Sequence, residues 1–282
     1  MDQREKVVDA NLRFYESRAE SYRDGRAAAA FRTRYDAKFA RGFAVLRQPR
    51  RALDCCAGTG LVTRLLLDRD CQVTAVDLSP RMLDLIRTTV VEPGEPVELV
   101  CSEITDFLAG RGDHWDVAVF GSAIHHLWNF DEVLDLALRR LTPEGSVYLI
   151  GEPVRQQTRS GRAVRTLELW LRRLSRGPGA IVAGTRRRLA FLVTRIRAGR
   201  PAPDSAVGFY AEVYATGVPF ERIHRVLDRH GARVVWQEAV LTGPAPIRVL
   251  KRLIRSYAGD SVWLVATLAA PCRAAAPQHN RE

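Results

Sequence analysis

Lysine is nearly missing from this chain. It occurs only at Lys6, Lys38 and Lys251, arginine supplying the rest of the 43 basic residues, and none of the three falls near the central strands read below. A Schiff-base mechanism, which needs a lysine amine beside the reacting carbon, is therefore hard to build. Cysteine is sparse as well: Cys55, Cys56, Cys71, Cys101 and Cys272 show no paired CxxC spacing. That argues against a disulfide scaffold and a structural zinc, and leaves reduced, mostly buried, inert thiols as the expectation. No apolar run reaches the ~20 residues that span a bilayer, and the charged start MDQREKVVDANLRF lacks the apolar stretch of a signal peptide. A cytoplasmic protein with no bound metal is expected.

What is present is a chain of 282 residues, 46% hydrophobic, long enough to bury a large core. Its net charge of +11 is unevenly placed. Between Arg155 and Arg200 there are thirteen arginines and a single acid, Glu168, so this stretch carries +12 and the remainder about −1. The basic character belongs to one segment.

Helical patterns run over residues 3–23 and 29–47, the second through Phe31, Tyr35, Phe39 and Phe43 at four-residue spacing. Strands and helices then alternate. RALDCC reads as a buried strand, GLVTRLLLDR as a helix, QVTAVDL as a strand, and SPRMLDLIRTTV as a helix with Ser79 as N-cap and Pro80 at its first position. VELVCSE and WDVAVFGS are further strands, FDEVLDLALRRL a helix, and GSVYLIGEP a fifth strand after the turn TPEG. Continuous apolar strands alternating with helices predict a doubly wound, mostly parallel sheet covered on both faces. Beyond residue 200 come a Pro/Gly linker, the helix PFERIHRVLDRHG, the strand ARVVWQEAVL, a short basic helix IRVLKRLIRSY and a last strand SVWLVATLA. The final two strands are expected to pair antiparallel at one edge.

The turn after the first strand, LDCCAGTG, discriminates between ligands. A dinucleotide fingerprint needs a third glycine so that helix and strand pack tightly beside a pyrophosphate, and Thr63 stands there instead. What remains is an acid followed by two glycines, Asp54, Gly58 and Gly60. A carboxylate ending the strand repels phosphate and suits a cationic amine.

LDCCAGTG, VTAVDLSPRML, CSEITDF, VFGSAIHHLW and LTPEGSVYLIGEP, in this order and spacing, resemble the successive motifs of class I S-adenosylmethionine-dependent methyltransferases over residues 15–153. The resemblance implies a Rossmann-like α/β fold with a seven-stranded sheet in the order 3-2-1-4-5-7-6, its last strand antiparallel. It implies S-adenosyl-L-methionine as cofactor and S-adenosyl-L-homocysteine as product. Carried over residue by residue, it implies that Asp54 holds the cofactor's amino group, that Ala57, Gly58 and Gly60 let the methionyl part lie close, and that Asp77 accepts both ribose hydroxyls. Leu78 and Met82 would flank the adenine, Glu103 and the Ile104 amide would meet its nitrogens, and the Gly121 carbonyl would face the amino group. Cys56 stands where the family commonly has glycine. Tyr15 and Tyr22 lie on the helix expected to fold over the cofactor.

His126 and His125 follow the fourth strand, where the transferred methyl sits in this family, and an imidazole can take a hydroxyl proton. Glu152, at the end of the fifth strand, is the next catalytic candidate. From Arg162 to Arg176, the residues Ala163, Val164, Leu167, Trp170, Leu171 and Leu174 share one helical face and the arginines the other. RRRLAFLVTRIR gives a second, less clean amphipathic pattern. A lid is expected, with Leu167, Trp170, Leu171 and Leu174 over the acceptor cavity near Glu152 and the histidines, and with Tyr210 and Tyr214 lining the same cavity. Residues 1–48 are read as N-terminal helices, 49–153 as the cofactor-binding core, 154–208 as the basic insertion, 209–270 as completion of the sheet and 271–282 as a disordered tail. The function expected is O-methylation of a bulky, partly apolar small molecule. The alternatives are a nucleic-acid methyltransferase, which the absence of an Asn/Asp-Pro-Pro-aromatic sequence after the fourth strand disfavours, and cofactor binding without transfer. A homodimer and contact with an anionic membrane surface stay open.

Overall fold

A computed structural model describes residues 3–17, 19, 29–156, 158–174, 217–241, 245–253 and 260–269. Gln3–Glu16 forms α1 and Ala29–Phe43 forms α2. The central alternation follows: β1 (Arg51–Cys55), α3 (Leu61–Leu67), β2 (Gln72–Asp77), α4 (Pro80–Thr89), β3 (Val97–Cys101), α5 (Ile104–Gly110), β4 (Trp115–Gly121), a 3-10 turn (Ile124–His126), α6 (Phe130–Arg139) and β5 (Leu141–Pro153). The remaining described elements are α7 (Arg159–Leu174), α8 (Phe220–Arg229), β6 (Ala232–Val240), α9 (Ala245–Leu253) and β7 (Ser261–Leu268).

The strands form one sheet in the order β3-β2-β1-β4-β5-β7-β6. β7 runs antiparallel to both β5 and β6, while β1 to β5 are parallel. This is the expected topology, edge pair included. Chain order reverses between β1 and β4, so a crevice opens at their carboxyl ends. Side chains alternate in period two between two apolar layers. Leu53, Phe120 and Leu149 face α5, α6 and α8, whereas Ala52, Val119 and Tyr148 face α2, α3 and α4. Phe39 of α2 stacks on Tyr148 at 5.2 Å between centroids, and burial of such a ring contributes roughly 2–3 kcal/mol.

Local chemistry sets the helix ends where the sequence marked them. Ser79 Oγ accepts from the Met82 N–H at 3.2 Å, capping α4 with Pro80 at its first position. Three elements differ from the reading. α5 was not anticipated, because seven residues are too few to show a period. TPEG is not a turn before β5 but part of it: Leu141 already pairs with Trp115, the register shifts before Val117, and Glu144 takes φ 67°.

α7 is the third. Among its described side chains, Gly161, Val164 and Glu168 are buried, while Ala163 and Leu167 of the apolar stripe are exposed, Leu167 to 45%. Charge fixes the enclosed part of this face. Lys251 of α9 donates to Glu168 at 2.5 Å and to both oxygens of Asp260 at 2.8 and 2.7 Å, with the Lys251 and Glu168 side chains fully enclosed. A buried carboxylate without a partner is far more costly than an exposed leucine, so the ion pair holds Glu168 inside. The second amphipathic pattern, the linker and the tail lie outside the described residues. No described helix is long and apolar enough to cross a membrane.

Candidate active site

A cleft of about 310 Å³ lies at the carboxyl ends of β1, β2 and β4, roofed by α1. Its floor is the turn after β1, where Cys56, Gly58 and Gly60 all take positive φ, at 60°, 54° and 80°. Gly60 begins α3, and a Cβ there would stand 2.8 Å from Ile86 of α4. Cys56 bears the strain of a left-handed backbone that glycine would relieve. Burial pushes its thiol well above the ordinary value, so it stays protonated.

Two carboxylates meet this turn. The Gly58 N–H donates to one oxygen of Asp77 at 2.7 Å and the Ser79 N–H to the other at 2.9 Å. Asp77 lines the cleft, and burial raises its pKa against backbone hydrogen bonds from Ser79, Gly58 and Leu78. Asp54 is buried, accepts from the Thr63 hydroxyl at 2.6 Å, and is pushed up to about 7 by burial, with Asp77 adding repulsion. Thr63, which marked the missing glycine, is thus the partner of the acid. Ala57, Leu78, Met82, Ile104 and Gly121 also line the cleft, whereas Gly60 does not and packs against Ile86 and Val90. Gly121 is held to glycine because a Cβ would stand 2.7 Å from Val62.

Glu103 lines the cleft but is heavily engaged. It caps α5 through the Thr105 and Asp106 N–H groups at 3.1 and 3.3 Å, and it pairs with the Arg4 guanidinium. α1 crosses the cleft with Arg4, Val7, Val8, Asn11, Leu12 and Tyr15 on its inner face. It is fastened at both ends: Arg4 also meets Asp106 at 2.6 Å, while Glu16 accepts from Ser79 Oγ at 2.5 Å and pairs with Arg81 at 3.0 Å. Arg4, Asn11, Glu16, Tyr35 and Ser122 were not singled out from the sequence. The three- and four-residue spacing of Arg4, Val8, Asn11 and Tyr15 was the available signal.

The three catalytic candidates separate. His126 lines the cleft with its Nε2 2.9 Å from the Tyr15 hydroxyl, and the Asn11 amide donates to its carbonyl at 3.2 Å. His125 and Glu152 do not line the cleft. Glu152 is 0% exposed and faces Nδ1 of the part-buried His125 at 2.9 Å. The side chain of Trp170 and all of Tyr22, Tyr210 and Tyr214 lie outside the described residues. Leu167 does not line the cleft, and no described residue of α7 does. Trp128, 44% exposed, stands at the rim instead. Among the described residues, no group of three or more His, Cys, Asp or Glu side chains is arranged to hold a metal.

Residues 52–145 match the family described as "Methyltransferase domain". An uncharacterized methyltransferase of Schizosaccharomyces pombe is 29% identical over 104 residues, covering 34% of this chain and 37% of that one. A ubiquinone biosynthesis O-methyltransferase of Xylella fastidiosa is 27% identical over 99 residues, covering 35% and 40%. The chain thus spans about two-fifths of the length of these curated relatives. Among solved structures, the plantazolicin methyltransferase BamL, in complex with a triazolic desmethylPZN analog and SAH, superposes with TM-score 0.54 at 13% identity, covering 95% of this chain and 97% of that one. Magnesium protoporphyrin IX methyltransferase from Synechocystis PCC 6803, with bound SAH, gives TM-score 0.50 at 12% identity and covers 85% and 84%. Residues 52–145 match a methyltransferase domain, and the chain shares the Rossmann-like fold of these solved methyltransferases.

Proposed function

We propose that this protein transfers the methyl group of S-adenosyl-L-methionine to a hydroxyl of a small, partly apolar molecule, releasing S-adenosyl-L-homocysteine. The observation that carries the reading is the pair of enclosed carboxylates, Asp54 and Asp77, on a glycine turn at the sheet's switch point. These acceptors fit the cofactor at both ends. Asp54, with the Gly121 carbonyl, would hold the ammonium group, and Asp77 would accept from the ribose hydroxyls. Leu78, Met82 and Ile104 would enclose the adenine, and Glu103 would meet its amino group while keeping its cap on α5. When bound, the cofactor supplies an electrophilic methyl group on a sulfonium.

The chain's own part is positioning. Leu12 and Leu127 give the cleft an apolar lining that would keep water from the reacting atoms, and Trp128 also lines it. His126, with Tyr15 at hydrogen-bond distance, would take the proton of an acceptor hydroxyl, while alignment supplies much of the acceleration. The O-methyltransferase named among the relatives supports oxygen as the methylated atom. The test is incubation of purified protein and cofactor with a panel of phenols, sugars, lipids and nucleic acids, read by mass. A gain of about 14 Da, one methylene, on a hydroxylated small molecule is expected. A gain on nucleic acid alone would contradict it.

A further inference from the structure

The side-chain hydrogen bonds of Glu152 among the described residues all go to one short stretch of chain. Oε1 accepts from the N–H groups of Ala123 and Ile124 at 2.6 and 3.0 Å. Oε2 accepts from the His125 N–H at 3.3 Å and faces the His125 Nδ1 at 2.9 Å. A carboxylate that already accepts from three N–H groups has no proton to give, which places His125 to donate from Nδ1. The backbone groups are those at the head of the 3-10 turn, which have no acceptor inside it. Without them a fully enclosed carboxylate would be strongly destabilising, and without it three buried amides would lose their partner.

The same turn carries His126. Its N–H closes the turn on the Ala123 carbonyl at 3.0 Å, its ring centroid lies 4.0 Å from that of His125, and its Nε2 faces Tyr15. The segment is gripped from behind by Glu152 and from the cleft side by α1.

We propose that Glu152 is the positioning residue of this site: from beneath the cleft it sets the backbone of residues 123–125 and the tautomer of His125, and through them the direction in which His126 meets Tyr15. The role given to His126 rests on the proposed methyl transfer, whereas the positioning itself does not. Glu152 acts without touching a ligand.

The test uses full-length protein carrying ¹⁵N-histidine, with the ring nitrogens followed by NMR in mildly alkaline buffer and S-adenosylhomocysteine binding followed by calorimetry. In the unmodified protein, His125 should show a proton on Nδ1. Glu152→Gln keeps the size of the side chain but turns an N–H₂ toward donors. The expected result is loss of the Nδ1–H signal of His125 and a linked shift at the His126 nitrogens, with S-adenosylhomocysteine affinity kept within about threefold. Glu152→Asp, which restores a carboxylate, should recover part of both signals. Unchanged His126 nitrogens in Glu152→Gln would overturn the proposal. So would equal unfolding of both variants, which would make Glu152 a residue of the fold alone. If the unmodified protein does not bind S-adenosylhomocysteine, the methyl-transfer reading fails while the nitrogen signals still judge the positioning.

Discussion

Asp54 is an acid placed where burial opposes its charge, and its titration near neutrality gives the site a pH dependence. A carboxyl lifted to about 7 in the fold and near 4 in the unfolded chain binds an extra proton in the folded state between those values. Stability of the ligand-free protein contributed by this group therefore falls as pH rises through that window. An arriving ammonium group favours the carboxylate, so S-adenosylhomocysteine affinity should rise with pH up to about 7 and then level, with proton release below it. Asp77, raised in the same direction, adds to the slope. Calorimetry in buffers of different ionisation heat measures the released proton. Asp54→Asn should weaken binding and flatten the curve, and a pH-independent affinity in the unmodified protein would count against the role of Asp54. Gly60 supports a second expectation at this scale. Gly60→Ala combines a left-handed backbone with a 2.8 Å approach to Ile86, and should destabilise by about 2–4 kcal/mol in denaturant unfolding. The motif residues were legible because each ends or begins an element. Thr63, Arg4 and Glu16 were not, because their meaning lies in partners that only the fold selects: Asp54, Glu103 and Ser79.

α7 shows where periodicity misleads. Segregation of arginine from leucine announced the helix but not its buried anchor, since Glu168 is enclosed in an ion pair while Ala163 and Leu167 of the stripe are exposed. Glu168, noticed only as the one acid among thirteen arginines, is the anchor. Lys251, set apart from the central strands in the sequence, joins α7 and α9 to the start of β7 through Glu168 and Asp260. Lys251→Met would leave two enclosed carboxylates without their cation, and should cost about 3–5 kcal/mol of stability. Thermal melting checks it, and a melting temperature equal to that of the unmodified protein would show that the cluster rearranges into water. α5 makes the opposite point. It is held by its cap, Glu103, rather than by an amphipathic pattern, and glutamate is not among the residue types that mark a helix start in sequence.

At the scale of the molecule, alternating strands and helices gave a mostly parallel sheet with an antiparallel edge pair, while the strand order itself came from the family resemblance. The active-site geometry was legible only in part. Sequence placed the histidines and Glu152 together, and the fold then divided them, His126 into the cleft and the other two beneath it. The central claim is that the cleft between β1, β2 and β4 binds the cofactor through its two acids. Calorimetric titration of S-adenosylhomocysteine into the unmodified protein and into Asp77→Ala tests it most directly. Two charge-assisted hydrogen bonds at about 1.5–3 kcal/mol each predict a loss of affinity of at least a hundredfold. The Asp77→Ala protein should otherwise melt as a folded molecule. Equal affinity in the two proteins would contradict the account.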